Sequence, residues 1–330
     1  MVFENKIEVH NAAELIRGDH GYVVSRVPES VRQTMEHPDA PFNCTGIEFR
    51  FVIEEGNQAT VRVYFNETDT RTSHVCALYL GNHQYGWQWL RQMQIVPGMN
   101  EITVTLPDNM EELETLSKEF GDPFAARVVR LIMPRGQFEI CDVEGNVRPP
   151  QPEELPSRYG VFYGSSITHG SVAHVVTANY VFLVTRALKI DSLNKGFGGA
   201  CFMEPDLVDY VLSHRDAAFI SVEVGTNCYG VLENEELRRR VEYMIEQFKK
   251  DPAGRQLFVI DCLAVNERYD GCHQLVRDCV NASGCPDIHY VNGLSLLPNR
   301  QYLATDGIHP TLDGHIYIGQ QYTKILQQYL

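Results

Sequence analysis

The sequence predicts an α/β protein of two domains, an antiparallel β-sandwich followed by a parallel β-sheet with helices on both faces. Apolar residues recur with a period of two before residue 148, which is typical of half-buried strands. After residue 156, short apolar strands alternate with helical segments. The chain has 330 residues, more than the ~100–200 of one typical domain. We therefore expect two domains, each with its own hydrophobic core.

The first part of the chain has the pattern of a sheet with one buried face. Apolar positions alternate through residues 47–53 and again through 61–65, and the turn-like Glu55-Gly56-Asn57 between them predicts a hairpin. A second hairpin is predicted about residues 97–100, from Met93 and Ile95 on one side to Leu106 on the other, and residues 128–132 add a further strand. Several short strands separated by turn signals favour a sandwich.

A proline-rich segment separates the two patterns. Three of the four residues from Pro149 to Pro152 are prolines, and Pro156 follows them. Because proline favours extended backbone and cannot donate the backbone hydrogen bonds of helices and sheets, such a segment indicates a linker. We predict a sandwich domain at 1–147, a linker at 148–156 and an α/β domain at 157–330.

In the second domain we predict five strands, at residues 159–163, 190–193, 218–224, 257–260 and 288–291. A helix is expected to start near Val172, another near Glu233, and an amphipathic helix closes the chain. Near-continuous apolar strands that alternate with helices indicate a parallel sheet buried on both faces. Ligands of such sheets bind beyond the carboxyl ends of the strands, so the function is sought in those loops.

Composition excludes several classes of function. With 43 acidic and 28 basic residues, the formal charge of −15 disfavours nucleic acid and acidic membrane surfaces as partners. The amino-terminal residues lack the continuous apolar stretch of a signal peptide or membrane span. The nine cysteines are odd in number and include no Cys-x-x-Cys pair, which argues against a disulfide framework and a zinc cage. We expect a cytoplasmic protein with no metal and no cofactor.

The loop after the first strand of the second domain, residues 164–170, reads Gly-Ser-Ser-Ile-Thr-His-Gly. Such a turn can hold a phosphate with backbone N–H groups or can present a serine as a nucleophile. No Lys-Ser or Lys-Thr pair follows at P-loop spacing, and Thr168 occupies the second glycine position of a nucleophile elbow. Taken alone, the loop leaves both functions open.

Three other loops could supply the groups that a serine nucleophile needs. Asp306 precedes His309 by three residues on a turn, a spacing at which the carboxylate can bind one ring nitrogen and leave the other for the nucleophile. Gly199 lies in a glycine-rich segment after the second strand, and Asn227 follows the third strand. A glycine N–H and an asparagine amide are suitable donors to an oxyanion.

These four loops, in this order and each at a strand end, resemble the four motif blocks of the SGNH hydrolase superfamily, also called the GDSL esterase and lipase family. The resemblance covers roughly residues 157–330. It implies a flavodoxin-like α/β/α domain, and the preceding domain resembles the jelly-roll-like sandwich of one branch of the family. That branch includes an acyltransferase of aromatic polyketide biosynthesis and carbohydrate esterases.

The resemblance also implies a role for each matching residue. Ser166 would attack an acyl carbonyl, His309 would act as base and then as acid, and Asp306 would orient His309. The backbone N–H groups of Ser166 and Gly199 and the amide of Asn227 would bind the oxyanion. The sequence has serine at 165 and cysteine at 228 where the family often carries aspartate.

Several nearby side chains have competing interpretations. Ser165 is a rival nucleophile, and Ser165, His169 and Cys228 are candidates for lining the substrate site. Cys201 and Cys228 could be reactive thiols or buried cysteines, and Glu223 is interpreted as a local hydrogen-bonding residue. Trp87 and Trp89 lie two residues apart, so they share a strand face that could contact a sugar ring or pack in the core.

The predicted function is serine-dependent hydrolysis of a small, neutral acyl ester such as an acylated carbohydrate. Acyl transfer to an acceptor other than water uses the same triad, so it stays open. A noncatalytic flavodoxin-like module that binds phosphate or flavin is the alternative from another class. The expected partner is thus a small-molecule ester, and the sequence leaves open whether the chain forms a homo-oligomer.

Overall fold

The computed structural model describes residues 1–66, 74–86, 94–263 and 265–330, and the chain divides into two compact units. The first unit comprises Met1–Pro28, Pro41–Ser157 and Val175–Thr177, and the second comprises Glu29–Ala40, Arg158–His174 and Ala178–Leu330. The second unit therefore includes an early segment that contains the short helix α1 (Glu29–Arg32).

Hydrogen bonds within the second unit explain why that early segment belongs to it. The Glu36 backbone N–H donates to Glu204 Oε1 over 3.1 Å, and Arg240 Nη1 donates to Glu36 Oε1 over 3.1 Å. The proline-rich segment lies in the first unit, where Arg148 forms a bidentate pair with Glu154. We still propose that the two domains span residues 1–147 and 157–330, with a linker at 148–156.

Ten strands among the described residues of the first unit pair into one antiparallel system, accompanied by helix α2 (Met110–Phe120). The strands are β1 (Val2–Phe3), β2 (Ile7–His10), β3 (Glu14–Arg17), β4 (Tyr22–Ser25), β5 (Glu48–Asn66), β6 (Ala77–Leu80), β7 (His83–Gln84), β8 (Gly98–Thr105), β9 (Val129–Ile132) and β10 (Gln137–Arg148). Their buried faces form one apolar core, in which the rings of Phe49 and Phe138 meet edge to face at 5.8 Å. The predicted antiparallel sandwich is confirmed.

Strand β5 runs straight through the position at which the sequence predicts a hairpin. It pairs with β10 on both sides of Gly56, with Val63 opposite Ile140 and Ile53 opposite Val147. Gly56 has φ +76°, and the register of the two strands shifts nearby. Glycine therefore permits a bulge here and not a chain reversal, and the predicted hairpin is wrong.

The two parts of β5 have different further neighbours. Residues 48–51 pair with β9 and residues 58–65 pair with β8, so one long strand joins the two parts of the sandwich. The predicted strand from Ile102 to Leu106 is present as part of β8, which begins at Gly98, inside the predicted turn. The strand predicted at 128–132 is present as β9. Met93, the predicted partner of β8, lies outside the described residues, as do Trp87 and Trp89.

The second unit contains a parallel sheet of five described strands in the order β12-β11-β13-β14-β15. They are β11 (Tyr159–Gly164), β12 (Asp191–Gly196), β13 (Phe219–Glu223), β14 (Gln256–Ile260) and β15 (Ile288–Val291). The remaining helices are α3 (Ser166–His169), α4 (Tyr180–Leu188), α5 (Pro205–Leu212), α6 (Asn234–Lys250), α7 (Asp270–Ser283), α8 (Gly293–Leu296) and α9 (Leu312–Leu326). Across the described part of the chain, no helix is both long and apolar enough to span a membrane.

This strand order is the flavodoxin-like 2-1-3-4-5 order, whose switch point lies at the first strand, β11. All five strands overlap the predicted segments, and helix α6 buries the apolar face expected near Glu233. The helix start expected near Val172 is wrong, because α3 begins at Ser166, Gly170 ends it with φ +95°, and Val172 has φ +66°. Helix α4 begins later, where the Asn179 side chain accepts a hydrogen bond from Phe182 N.

The core of the second unit is rich in aromatic rings, and it gives the first testable prediction. Phe258 is fully buried on β14 and makes edge-to-face contacts with Phe219 and Tyr322. Because truncation removes a buried ring and leaves a cavity, we expect Phe258→Ala to lower the free energy of unfolding by about 3–5 kcal/mol. Ile316→Ala is the control, since Ile316 is 37% exposed on α9. Urea unfolding measures both, and equal losses would contradict this packing.

Candidate active site

The candidate site lies at the carboxyl ends of the central strands of the second unit. Helix α3 follows β11 directly, Gly198 and Gly199 follow β12, and Asn227 follows β13. In the sheet, β11 lies between β12 and β13, so the three loops leave neighbouring strands at the same edge. This edge is the switch point, where open α/β sheets bind their ligands.

Ser166, His309 and Asp306 form a continuous chain of hydrogen bonds. Ser166 Oγ lies 2.8 Å from His309 Nε2, and His309 Nδ1 lies 2.7 Å from Asp306 Oδ2. Ser166 is 9% exposed, whereas the Asp306 carboxylate is at the surface. The structure thus brings together the three residues that the sequence singled out from separate loops.

The loop from Asp306 to His309 holds the carboxylate and the ring in register. Asp306 Oδ1 accepts hydrogen bonds from the backbone N–H groups of Ile308 and His309, at 2.9 and 3.0 Å. Partial burial would raise the pKa of Asp306, but the hydrogen bonds from the His309 ring and from these two N–H groups outweigh it and lower the pKa below its usual value. Asp306 is therefore suited to accept the His309 Nδ1 proton in a hydrogen bond.

Ser165 and Ser166 have separate hydrogen-bond partners although they are adjacent. Ser165 Oγ donates to Glu223 Oε2 over 2.6 Å and accepts from Ile167 N, which caps helix α3. Ser166 is the first residue of that helix, and its hydroxyl meets the imidazole of His309. The geometry therefore favours Ser166 over Ser165 as the nucleophile.

Glu223, the last residue of β13, is fully buried and joins two of the loops. It accepts hydrogen bonds from the Ser165 N–H and hydroxyl, from Thr168 and from Thr226. Gly164 makes room for it, because a Cβ at that position would lie 2.8 Å from Glu223 Oε2. Sequence reasoning identified local hydrogen bonding by Glu223 but missed that it connects the serine loop to the Asn227 loop. The sequence signal for this role was a glutamate at the end of a strand that is otherwise uncharged.

Two loops present groups that could bind an oxyanion. A Cβ on Gly198 would lie 3.9 Å from Ser166 Cβ, and Gly199 has φ +70° with open space where a side chain would stand. Asn227 Oδ1 accepts a hydrogen bond from Cys201 N over 3.2 Å. This bond fixes the oxygen of the Asn227 amide and leaves its NH₂ group as the donor end.

The residues that the sequence suggested as substrate-lining are buried. Ser165, His169 and Cys228 are 1%, 3% and 0% exposed, respectively, and a substrate-lining role for them stays a prediction. Burial raises the pKa of the Cys228 thiol to about 12 and that of Cys201 well above its usual value. Because a nucleophilic cysteine needs its thiolate, neither thiol is a candidate nucleophile. Within the residues that the structure describes, no three metal-ligating side chains form a group that could hold a metal ion.

The arrangement has the parts of an acyl-transfer site. A serine hydroxyl, a histidine in contact with it, a carboxylate that orients the histidine and nearby donors are what a serine nucleophile requires.

Several proteins of known structure share this fold. No curated protein sequence gives a significant match. The fold is similar to a salicylyl-acyltransferase from a tetracycline biosynthetic pathway, with a TM-score of 0.78 and 15% identity over 98% of this chain and 96% of that chain. It is also similar to a family two carbohydrate esterase from Cellvibrio japonicus, with a TM-score of 0.63 and 13% identity over 98% of this chain and 95% of that chain. An acetyl xylan esterase from the rumen bacterium Butyrivibrio proteoclasticus is similar as well, with a TM-score of 0.60 and 11% identity over 99% of this chain and 96% of that chain.

At these identities the similarity concerns the fold alone, and the family follows from the sequence itself. A family model described as GDSL-like lipase/acylhydrolase matches residues 158–327, slightly more than half of the chain. The resemblance drawn from the four loops is thereby confirmed. The chain belongs to the GDSL-like lipase/acylhydrolase family.

Proposed function

We propose that this protein is a serine esterase that hydrolyses a small acyl ester through an acyl-enzyme on Ser166. The observation that carries the proposal is the hydrogen-bonded chain from Ser166 Oγ through both nitrogens of His309 to Asp306, with links of 2.8 and 2.7 Å. Family membership supports the broader class, an enzyme that acts on esters. The contacts of these residues support the role that we assign to each residue.

In the first half of the reaction, Ser166 Oγ bonds to the acyl carbon while His309 Nε2 takes the hydroxyl proton. His309 then donates that proton to the departing alcohol oxygen as the ester C–O bond breaks, leaving an ester on Ser166. In the second half, His309 deprotonates a water, whose oxygen bonds to the acyl carbon. The bond from that carbon to Ser166 Oγ then breaks, His309 returns the proton to Ser166 Oγ, and the free acid leaves. Asp306 holds the His309 ring and stabilises its positive charge in both halves.

The oxyanion of each tetrahedral intermediate needs donors that are already in place. We assign the Ser166 and Gly199 N–H groups and the Asn227 amide to this role, since Gly198 borders Ser166 and the Asn227 oxygen is held by Cys201 N. A fixed donor costs no reorganisation at the moment of reaction, which is why such groups contribute strongly.

Asn227→Ala tests the assigned side-chain donor. We expect kcat to fall by about 10²–10³ with a small change in KM, because the donor acts on the charge that develops in the transition state. The measurement is steady-state hydrolysis of a chromogenic acetate ester. Asn292→Ala is the control, as Asn292 caps helix α8 and lies outside the loops that carry Ser166, Gly199 and Asn227. If Asn227→Ala and Asn292→Ala have the same kcat, Asn227 is not an oxyanion donor.

The noncatalytic alternative, a phosphate or flavin site in the loop 165–170, fits the structure poorly. Ile167 N donates to Ser165 Oγ, and the N–H groups of His169 and Gly170 donate to carbonyl oxygens within the same loop. The Glu223 carboxylate lies beneath the loop and accepts the Ser165 N–H. A carboxylate at this position repels a phosphate, and those N–H groups are already engaged.

For the substrate we propose a neutral acyl ester, with an acylated carbohydrate as the first candidate. The formal charge of −15 disfavours anionic polymers. The carbohydrate esterase and the acetyl xylan esterase with the same fold support this choice of class.

Acyl transfer to an alcohol is the second candidate, and the salicylyl-acyltransferase of similar fold is the observation that favours it. One experiment tests both functions. The purified protein is incubated with an acetylated sugar or a chromogenic acetate, with and without a candidate alcohol acceptor, and the products are identified by mass spectrometry. Release of free acid supports hydrolysis, and a new ester supports transfer. Formation of neither product at any substrate concentration would contradict the proposal.

A further inference from the structure

Glu223 occupies a position that the proposed mechanism does not use. Its side chain is fully buried at the end of β13, directly beneath the proposed active site. A buried carboxylate needs hydrogen-bond donors to compensate for lost water. The donors it has found, three on Oε2 and one on Oε1, come from two different loops.

The first three donors belong to the loop that carries Ser166. The Ser165 N–H and hydroxyl donate to Glu223 Oε2 over 2.7 and 2.6 Å, and Thr168 Oγ1 donates to the same atom over 3.2 Å. These residues flank Ser166 on both sides. Glu223 therefore fixes the start of helix α3, from which the Ser166 hydroxyl and N–H project.

The fourth donor belongs to the loop that carries Asn227. Thr226 Oγ1 donates to Glu223 Oε1 over 2.6 Å, and Thr226 directly precedes Asn227. One carboxylate therefore connects the two loops: its Oε2 binds the loop that carries Ser166, and its Oε1 binds the loop that carries Asn227. Gly164 allows this close approach, since a Cβ there would lie 2.8 Å from Oε2.

We propose that Glu223 is a positioning residue that sets the distance between the Ser166 nucleophile and the Asn227 oxyanion donor. The inference rests on the proposed function. Its physical basis is that an acyl-transfer site requires the nucleophile and the donors at fixed separation, and a displacement of about 1 Å costs about 100-fold in rate. Glu223 touches neither substrate nor reacting atoms, so its contribution is geometric.

The variants separate geometry from charge. In Glu223→Gln, the amide oxygen can replace Oε2 and accept the same three donors, while the NH₂ group faces Thr226 Oγ1, a hydroxyl that can also accept. Glu223→Ala removes all four bonds. Thr226→Val removes only the bond on the Asn227 side and preserves side-chain shape. Glu204→Ala is the matched control, because Glu204 is another buried carboxylate of the second unit, 4% exposed, and it binds Glu36 N outside these loops.

The experiment measures kcat and KM for a chromogenic acetate ester, well below the Tm of each variant. We expect Glu223→Ala to lower kcat by about 100-fold with KM within about twofold, and Glu223→Gln to recover most of that loss. Thr226→Val should fall between wild type and Glu223→Ala, and Glu204→Ala should match wild type. If Glu223→Ala does not fold, Thr226→Val decides: a lower kcat with KM within about twofold supports the positioning role, and an unchanged kcat overturns it.

Two results would overturn the positioning role: an unchanged kcat in Glu223→Ala or Thr226→Val, or a Glu223→Gln variant that is as slow as Glu223→Ala. Ser166→Ala, measured in the same series, distinguishes this failure from that of the proposed function. Activity that persists without the Ser166 hydroxyl refutes the function itself. Activity that requires Ser166 but is insensitive to Glu223 refutes only the positioning role.

Discussion

Replacing Ser166 with alanine should reduce kcat for ester hydrolysis by about 10⁶-fold, the loss seen when a triad nucleophile is removed. The reason is direct: Ser166 Oγ is the hydroxyl in contact with His309 Nε2, at 2.8 Å. Steady-state hydrolysis of a chromogenic acetate ester gives kcat, and circular dichroism checks that the variant is folded.

Two serine controls define the specificity of that result. Ser213→Ala changes an exposed serine beyond the end of α5 and should leave kcat unchanged. Ser165→Ala removes a cap of α3 and one bond to Glu223, so we expect a partial loss that is far smaller than that of Ser166→Ala. The assignment of the nucleophile would be reversed if Ser166→Ala kept its activity and Ser165→Ala lost about 10⁶-fold in kcat.

Replacing His309 with alanine should also lower kcat by about 10⁶-fold. Without the ring, no base takes the Ser166 proton and no acid protonates the departing alcohol. Because the variant leaves a space next to Ser166 Oγ, added imidazole should restore part of the activity in a concentration-dependent manner. The same ester assay, repeated over a series of imidazole concentrations, provides both measurements.

The control for His309 is a histidine of the same unit outside the candidate site. His289 lies on β15, where its ring contacts Tyr329, so His289→Ala should hydrolyse the ester at the wild-type rate below its Tm. A His309→Ala variant that retains the activity of His289→Ala would remove the general base from the mechanism.

Much of the site follows from the sequence because Ser166, Gly199 and Asn227 follow the ends of strands, whereas Asp306 and His309 precede helix α9. Parallel strands bring their carboxyl ends to one edge of the sheet, so loops far apart in the chain meet there. The serine loop after β11 and the Asn227 loop after β13 are neighbours for this reason. The Asp306 to His309 spacing is equally local, since a three-residue turn suffices to join carboxylate and ring.

Features that depend on distant packing did not follow from the sequence. Glu55-Gly56-Asn57 looks like a turn, but pairing with β10 on both sides carries β5 straight through it. Likewise, nothing near Glu36 indicates that its segment binds Glu204 and Arg240, which lie far along the chain. Local patterns predict local geometry, whereas these outcomes depend on which partner strand or helix is available.

The buried residues around the site show the same limit. Periodicity could not distinguish a serine that faces substrate from one that holds a carboxylate. The contacts separate them, because Ser165 donates to Glu223 whereas Ser166 meets His309. His169 and Cys228 lie close to catalytic candidates in sequence and are nevertheless buried. Proximity in sequence to a reactive residue is thus a weak guide to how exposed a side chain is.

The most direct test of the account is covalent labelling of the folded wild-type protein with a fluorophosphonate. Such a reagent reacts with a serine whose proton is removed by a neighbouring base and leaves a stable adduct on that oxygen. Peptide mass spectrometry then locates the adduct. We expect one adduct per chain on Ser166, no adduct in the His309→Ala variant, and loss of ester hydrolysis in proportion to labelling. An adduct on Ser165, or full ester hydrolysis by protein labelled at Ser166, would contradict it.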